Sequence, residues 1–286
     1  MQDNFVDIDG IRIRYCDVGG AGRPVLFIHG IAGSLEMWRP QLGQFDPSIR
    51  TIALDLPGHG LSDIAPEPQD ADIFARFVWH FVNALDIDKV TIVGNSLGGA
   101  IGLRMAGMFP GRVTGLLLAD AATIGREVFF PFRLMTLPLL GELLNRPGQV
   151  AVEQQLKALF HDPGIVTPEI REVVARNVQK PGAGAAFLTT LRRMTGLRGQ
   201  KTEFVETSHI LLRNLRLPCI ILHGRQDTVL PVQQALDAAK LVPSASLVVL
   251  EECGHTPQIE KPEAFNQYVL QLVEAQAGSG VAGLMA

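Results

Sequence analysis

Residues Gly94-Asn95-Ser96-Leu97-Gly98 form a G-x-S-x-G whose serine falls at the junction of two kinds of segment. Before it runs Val90-Thr91-Ile92-Val93, an apolar-rich stretch of strand length. After it, Leu97 to Phe109 has the length and composition of a helix and stops at Pro110-Gly111. A chain that passes straight from strand to helix must turn sharply, and glycine on either side of the turn avoids the clashes a Cβ would cause. Such a turn lifts Ser96 clear of the sheet and sets the free N–H groups of the next helix beside it, a good position for binding an oxyanion. A serine that merely caps a helix needs neither flanking glycine, nor the third at Gly99.

The strand before Ser96 is one of several. Val25-Leu26-Phe27-Ile28, Thr51-Ile52-Ala53-Leu54, Leu116-Leu117-Leu118-Ala119, Cys219-Ile220-Ile221-Leu222 and Leu247-Val248-Val249-Leu250 are likewise apolar on both faces. Strands of this kind belong in a parallel sheet covered by helices on each side. Phe5 to Ile8 and Ile11 to Cys16 alternate instead, and Asp9-Gly10 between them predicts an opening hairpin. Helix-length segments occupy Leu35 to Phe45, Ala71 to Leu85 and Pro262 to about Ala275. The alternation predicts an α/β fold with a doubly wound, mostly parallel eight-stranded sheet.

From Thr123 to Asn214 the alternation stops. Helix-like pieces such as Val150 to Phe160 and Pro168 to Val178 are separated by Pro147-Gly148, Asp162-Pro163-Gly164 and Pro181-Gly182. The expected organisation is therefore a core of residues 1–122 and 215–286 with a helical cap, residues 123–214, inserted between its halves. Val128 to Leu144 is the longest apolar-rich stretch, but Pro131, Arg133, Pro138 and Glu142 interrupt it, well short of the roughly 20 apolar residues of a bilayer span. The small, Gly-rich tail, Ala277 to Ala286, is expected to be mobile.

Composition removes further classes. The net charge of −4 leaves no basic footprint for nucleic acid. Met1-Gln2-Asp3-Asn4 lacks the basic start of a secretory signal, and Cys16, Cys219 and Cys253 have no CxxC spacing, so a cytoplasmic location is expected. The aromatic content is 14 Phe but only 2 Tyr and 2 Trp, so chemistry that depends on a phenol or an indole has few candidates.

A serine hydroxyl needs a general base beside it and a carboxylate to orient that base. His255, just past the last apolar strand, and Asp227, just past the strand before it, both fall where the C-terminal edge of a parallel sheet gathers its loops. Asp120 ends the strand Leu116 to Ala119 at the same edge and is the competing acid, read here as a turn residue. His29 and His59 sit in glycine-rich loops as organisers rather than bases. His80, His161, His209 and His223 have no metal-ligand spacing, and no metal or cofactor is implied.

Taken in order, His29-Gly30-Ile31-Ala32-Gly33, Asp55-Leu56-Pro57-Gly58-His59-Gly60-Leu61-Ser62, Gly94 to Gly98, Gly224 to Asp227 and Gly254-His255 resemble the α/β-hydrolase fold superfamily. The resemblance covers both core segments and implies a catalytic triad, Ser96, Asp227 and His255, with an oxyanion hole made by the backbone N–H groups of Ile31 and Leu97. Branches with an aspartate nucleophile, cap tyrosines or an indole next to the nucleophile do not fit, because position 96 is Ser, both tyrosines lie outside the cap and Leu97 follows the serine.

The best resemblance is to serine carboxylic ester hydrolases acting on small to medium, largely apolar acyl or aromatic substrates, with a small-molecule ester as partner. C–C bond hydrolases of ring meta-cleavage products are the alternative: they share the look of Gly94 to Gly99 and of Cys253-Gly254-His255, but carry Trp where this chain has Thr256. A ligand-binding receptor that keeps the triad is the second alternative. Asn95, Phe129, Phe132 and Met135 are the expected substrate contacts. Arg192 and Arg193 could clamp a carboxylate, although adjacent arginines more often face solvent.

Overall fold

The computed structural model describes residues 2–281, with side-chain surroundings as far as residue 275. The hairpin comes first, β1 (Asn4–Ile8) and β2 (Ile11–Asp17), with Asp9 and Gly10 both at positive φ in the turn. Then follow β3 (Pro24–Ile28), β4 (Arg50–Leu54), α1 (Ala71–Ala84), β5 (Val90–Asn95), α2 (Leu97–Met108) and β6 (Val113–Ala119). The next stretch holds α3 (Phe130–Met135), α4 (Leu140–Leu144), α5 (Gln149–Leu159), α6 (Pro168–Gln179) and α7 (Ala183–Met194). A short ribbon of β7 (Thr195–Gly196) and β8 (Gly199–Gln200) leads to α8 (Thr202–Asn214). The chain closes with β9 (Cys219–Gly224), α9 (Gln233–Ala239), β10 (Ser246–Leu250), α10 (Pro257–Glu260) and α11 (Pro262–Val281).

One eight-stranded sheet runs in the order β1-β2-β4-β3-β5-β6-β9-β10. The β1–β2 and β2–β4 pairs are antiparallel and every later pair is parallel, so the predicted doubly wound sheet is the one observed. Its faces are covered separately. On one, α1 and α2 supply Phe74, Val78, Phe81, Ile101 and Leu103 to a core shared with Leu26 and Ile28 of β3 and Ile92 of β5. On the other, Trp38 and the α11 residues Phe265, Val269 and Leu272 pack on Val25, Phe27, Val93 and Leu117. Adjacent residues of one strand therefore enter opposite cores, which is why these strands read as unbroken apolar runs.

Three expectations are corrected. Leu35 to Phe45 is not a full helix: only a 3₁₀ turn forms at Leu35–Trp38, because Pro40 has no N–H to donate and Gly43 adopts φ +73°. Residues 195–200 form a short β-ribbon inside the stretch expected as a cap of helix-like pieces. The last helix runs on to Val281, so the part of the expected mobile tail up to that residue is helical; residues 282–286 lie outside the described residues.

Between β6 and β9 the helices are tied to the 3₁₀ turn, to α1 and to α2 at particular points. Arg176 of α6 bonds Glu36, which also receives Arg14 of β2, at 2.8 Å in each case. Asp70 caps α1 by accepting from Asp72 and Ile73 N–H, and its other oxygen takes Arg193 Nε at 2.9 Å. Helix α8 packs on α2, where Arg104 reaches Ser208 at 2.5 Å and the Phe204 carbonyl at 2.7 Å. Among the described residues, no helix is long and apolar enough to cross a membrane.

Candidate active site

Ser96 joins β5 to α2 with φ 56° and ψ −117°, a conformation costly for any residue with a Cβ. The surroundings impose it. Ser96 N–H donates to the Ala119 carbonyl at 2.9 Å, while its own carbonyl accepts from Gly99, Ala100 and Ala122. A Cβ at Gly98 would run into the Ile28 carbonyl, and one at Gly94 into the Gly98 carbonyl, so the turn requires glycine at both positions.

Two further loops meet this turn from the same edge of the sheet. Asp227 follows β9; its Oδ1 accepts from Val229 and Leu230 N–H at 2.7 and 3.0 Å, leaving Oδ2 for His255 Nδ1 at 2.7 Å. With Nδ1 held by the carboxylate, the other ring nitrogen of His255 is the one available to accept a proton. The His255 loop is held in turn by Asn95, whose amide donates to the His255 carbonyl at 3.0 Å, and by α5, whose Leu159 carbonyl accepts from His255 N–H at 3.0 Å. Ser96, Asp227 and His255 are all buried.

Electrostatics follows from this burial. Burial works against the His255 imidazolium, but the charge and hydrogen bond of Asp227 outweigh it and lift its pKa above the ordinary value. Burial also opposes ionisation of Asp227, yet His255 and His223 hold that carboxyl well below the usual range. Burial raises Asp120, and His223 only partly offsets it. His29 and His59 are pushed down to about 3 and about 4 by burial and stay neutral. His29 Nδ1–H donates to the Gly30 carbonyl at 2.7 Å and Nε2 accepts from Leu56 N–H at 3.1 Å, so its ring pins the loop that carries Ile31.

Ser96 and His255 line one cavity of about 670 Å³. Phe129, Phe132, Met135, Leu134 and Phe187 form an apolar side, and Ile31 and Asn95 also face it. Leu97, the first residue of α2, is buried against the core, so what it offers at the turn is its backbone N–H. Phe130 and Leu139, from the same apolar segment, point elsewhere and are 64% and 85% exposed. Asn95 lines the cavity with its amide already committed to His255 and, at 3.4 Å, to the Ala119 carbonyl.

The two arginines weighed as a carboxylate clamp are engaged elsewhere: Arg192 pairs with Glu142 at 2.7 Å, and Arg193 with Asp70. Arg193 is exposed and Arg192 partly so, as expected for a solvent-facing helix surface, each adds an ion-pair partner there, and neither lines the cavity. Gln155, Lys157, Asn177 and Thr228 also line it. Thr228 adjoins Asp227 in sequence, whereas for Gln155, Lys157 and Asn177 the sequence carried no signal, since their placement depends on how α5 and α6 dock. His223 was missed as well, although it stands four residues before Asp227 in the same motif.

Among the described residues, one group of side chains converges closely enough to offer a cation several ligands: Asp120, Asp227 and His255, whose ligand atoms lie within 4.8 Å of one another. His255 Nδ1 and Asp227 Oδ2 already bond each other. His223 Nε2 lies 3.2 Å from Asp227 Oδ2 and 3.5 Å from Asp120 Oδ1, so protons already join the set. Ser96 and His255 thus face one apolar space that admits a small organic molecule, with a buried carboxylate behind the imidazole.

Comparison with known proteins gives a consistent result. The sequence model described as "Alpha/beta hydrolase family" matches residues 25–268. An uncharacterized protein of Mycobacterium tuberculosis is 31% identical over 283 residues, covering 94% of this chain and 80% of its own length. Among solved structures, the meta-cleavage product hydrolase CumD of Pseudomonas fluorescens IP01 is similar with a TM-score of 0.80 at 25% identity, covering 95% of this chain and 97% of its own. A thermophilic esterase from Thermogutta terrifontis is similar with a TM-score of 0.76 at 25% identity, covering 96% and 99%.

Proposed function

Because the chain belongs to the alpha/beta hydrolase family, we propose that it is a serine hydrolase that cleaves carboxylic esters of small to medium, largely apolar acyl or aromatic substrates. The observation that carries this reading is His255, held by buried Asp227 at 2.7 Å and facing the same apolar cavity as a serine in a strained strand-to-helix turn. Ser96 Oγ attacks the acyl carbon as His255 takes its proton. The oxyanion is held by the Ile31 and Leu97 N–H groups, each such donor being worth about 10²–10³ in rate. Return of the proton expels the alcohol and leaves an acyl-enzyme, which water hydrolyses by the same relay in reverse.

Residues 123–214 are read as a cap, with α8 as its anchor on core helix α2 and residues 1–122 and 215–286 as the core. Phe129, Phe132 and Met135 then contact the acyl group, while Asn95 serves the His255 loop as much as the substrate. The test is hydrolysis of p-nitrophenyl butyrate or hexanoate. The unsubstituted protein turns the ester over and Ser96→Ala loses nearly all activity; full activity in Ser96→Ala overturns the reading.

Hydrolysis of a C–C bond in a ring meta-cleavage product is the second reading, favoured by the similarity to CumD. Against it stands the commitment of Arg192 and Arg193 to Glu142 and Asp70, which leaves neither for a dienoate carboxylate. Loss of the yellow dienolate absorbance on mixing identifies that reaction. Tight binding of a small molecule without turnover of any ester identifies a receptor instead.

A further inference from the structure

Behind Asp227 lies a pair of buried groups that the proposed reaction does not use. His223, the fifth residue of β9, and Asp120, the residue after β6, are both wholly shielded from solvent. His223 Nε2 faces three oxygens: the Leu230 carbonyl at 2.7 Å, Asp227 Oδ2 at 3.2 Å and Asp120 Oδ1 at 3.5 Å. A nitrogen surrounded by three acceptors must carry a hydrogen. Asp120 Oδ1 also accepts from Gly224 N–H at 2.9 Å, while Asp120 Oδ2 and His223 Nδ1 are buried without a hydrogen-bond partner among the described residues. Two carboxylates within 4.8 Å of each other, both out of water, cannot both stay ionised without a cation between them.

Resting on the reading of Asp227 and His255 given above, we propose that His223 is a positioning residue: as an imidazolium paired with Asp120, it donates from Nε2 to Asp227 and keeps that carboxylate charged and aimed at His255. Without the pair, Asp120 and Asp227 would compete for one proton, and a protonated Asp227 would no longer hold His255 in the tautomer that accepts from Ser96. The other ionisable groups around the cluster are His255, the Cys253 thiol, which burial pushes up, and Glu260 of α10, whose carboxylate accepts from Gly254 N–H at 2.9 Å. Burial opposes the charge on His223, but Asp120 and Asp227 raise its pKa to about 9.

Two measurements test this. The first needs no catalysis: histidine ring nitrogens are followed by NMR in the full-length Ser96→Ala protein. The expected result is a His223 ring protonated on both nitrogens at about pH 8, with a titration midpoint that falls by roughly one unit or more in Asp120→Asn. A neutral His223 ring at that pH overturns the proposal, whatever the protein hydrolyses.

The second is kinetic. His223→Gln keeps an N–H near the Nε2 position and loses the charge; kcat for p-nitrophenyl butyrate is expected to fall about tenfold with KM within about twofold. Adding Asp120→Asn to that variant removes the uncompensated carboxylate and recovers most of the loss. A His223 that only fills space gives a double variant no better than His223→Gln, which also overturns the proposal. If Ser96→Ala retains esterase activity, the hydrolase reading fails separately, and the NMR titration still decides the state of His223.

Discussion

The side-chain amide of Asn95 donates to the backbone carbonyl of His255 at 3.0 Å, so the residue before the serine steadies the loop that carries the imidazole. The link spans 160 positions of sequence and is buried at both ends. Replacing Asn95 by Ala leaves the His255 carbonyl without this donor, a loss worth about 1–2 kcal/mol. Asn95→Ala is expected to lower kcat about tenfold with a small change in KM, measured on p-nitrophenyl butyrate. A rise in KM alone would instead make Asn95 a substrate contact.

The two candidate acids should separate cleanly. Asp227→Asn keeps the shape but removes the charge that fixes the His255 tautomer, and kcat is expected to fall roughly 10³–10⁴-fold. Asp120 is in contact with Gly224 N–H and His223 rather than bonded to His255, and Asp120→Asn is expected to cost about tenfold or less. Side-by-side rates for the two variants check the assignment.

Activity should fall in acid. His255 must be neutral to accept a proton, and Asp227 raises its pKa, so kcat/KM is lost as pH drops through a midpoint above the 6.5 of an ordinary imidazole. Asp227→Asn removes the group that raises it, and the midpoint moves down. His29 and His59 are neutral throughout this range and leave the limb unchanged. A pH–rate profile of kcat/KM for both proteins checks the direction.

Phe132 is expected to govern the size of the proposed acyl site. Its ring meets Phe129 and Phe187 edge-on, each at 5.6 Å between centroids, and it lines the cavity. Phe132→Ala is expected to shift preference by two or more carbons towards longer p-nitrophenyl esters and to destabilise the protein by about 2–4 kcal/mol. A chain-length series on both proteins, with thermal unfolding of each, checks the two effects together.

Much of the fold was legible because the parallel sheet buries both faces of β3 to β6 and of β9, writing an apolar run at each strand. Ser96, Asp227 and His255 were legible for a related reason: all three follow strands, and strand ends collect at one edge. What the sequence hid depends on partners brought from far away. The partners of Arg192 and Arg193 were hidden because nothing local announces Glu142 or Asp70. The bond from the Asn95 amide to the His255 carbonyl was hidden because its acceptor belongs to a loop near the other end of the chain. Leu35 to Phe45 misled in the opposite way: its length suits a helix, but the missing N–H at Pro40 and the positive φ at Gly43 leave only a 3₁₀ turn.

Glu36 lies at a junction of three parts of the molecule. Burial alone would push its carboxyl up, but Arg176, Ser34 and Arg14 hold it below the ordinary range. One of those arginines comes from the opening hairpin and the other from the segment inserted between β6 and β9. The insert is therefore not a freely exchangeable module. A chimera that swaps residues 123–214 for the equivalent stretch of a relative must bring its own cation to the place of Arg176, or leave Glu36 to Arg14 alone. Hairpin, 3₁₀ turn and the stretch between β6 and β9 are thus joined through one carboxylate, although Arg176 and Glu36 stand 140 positions apart in sequence.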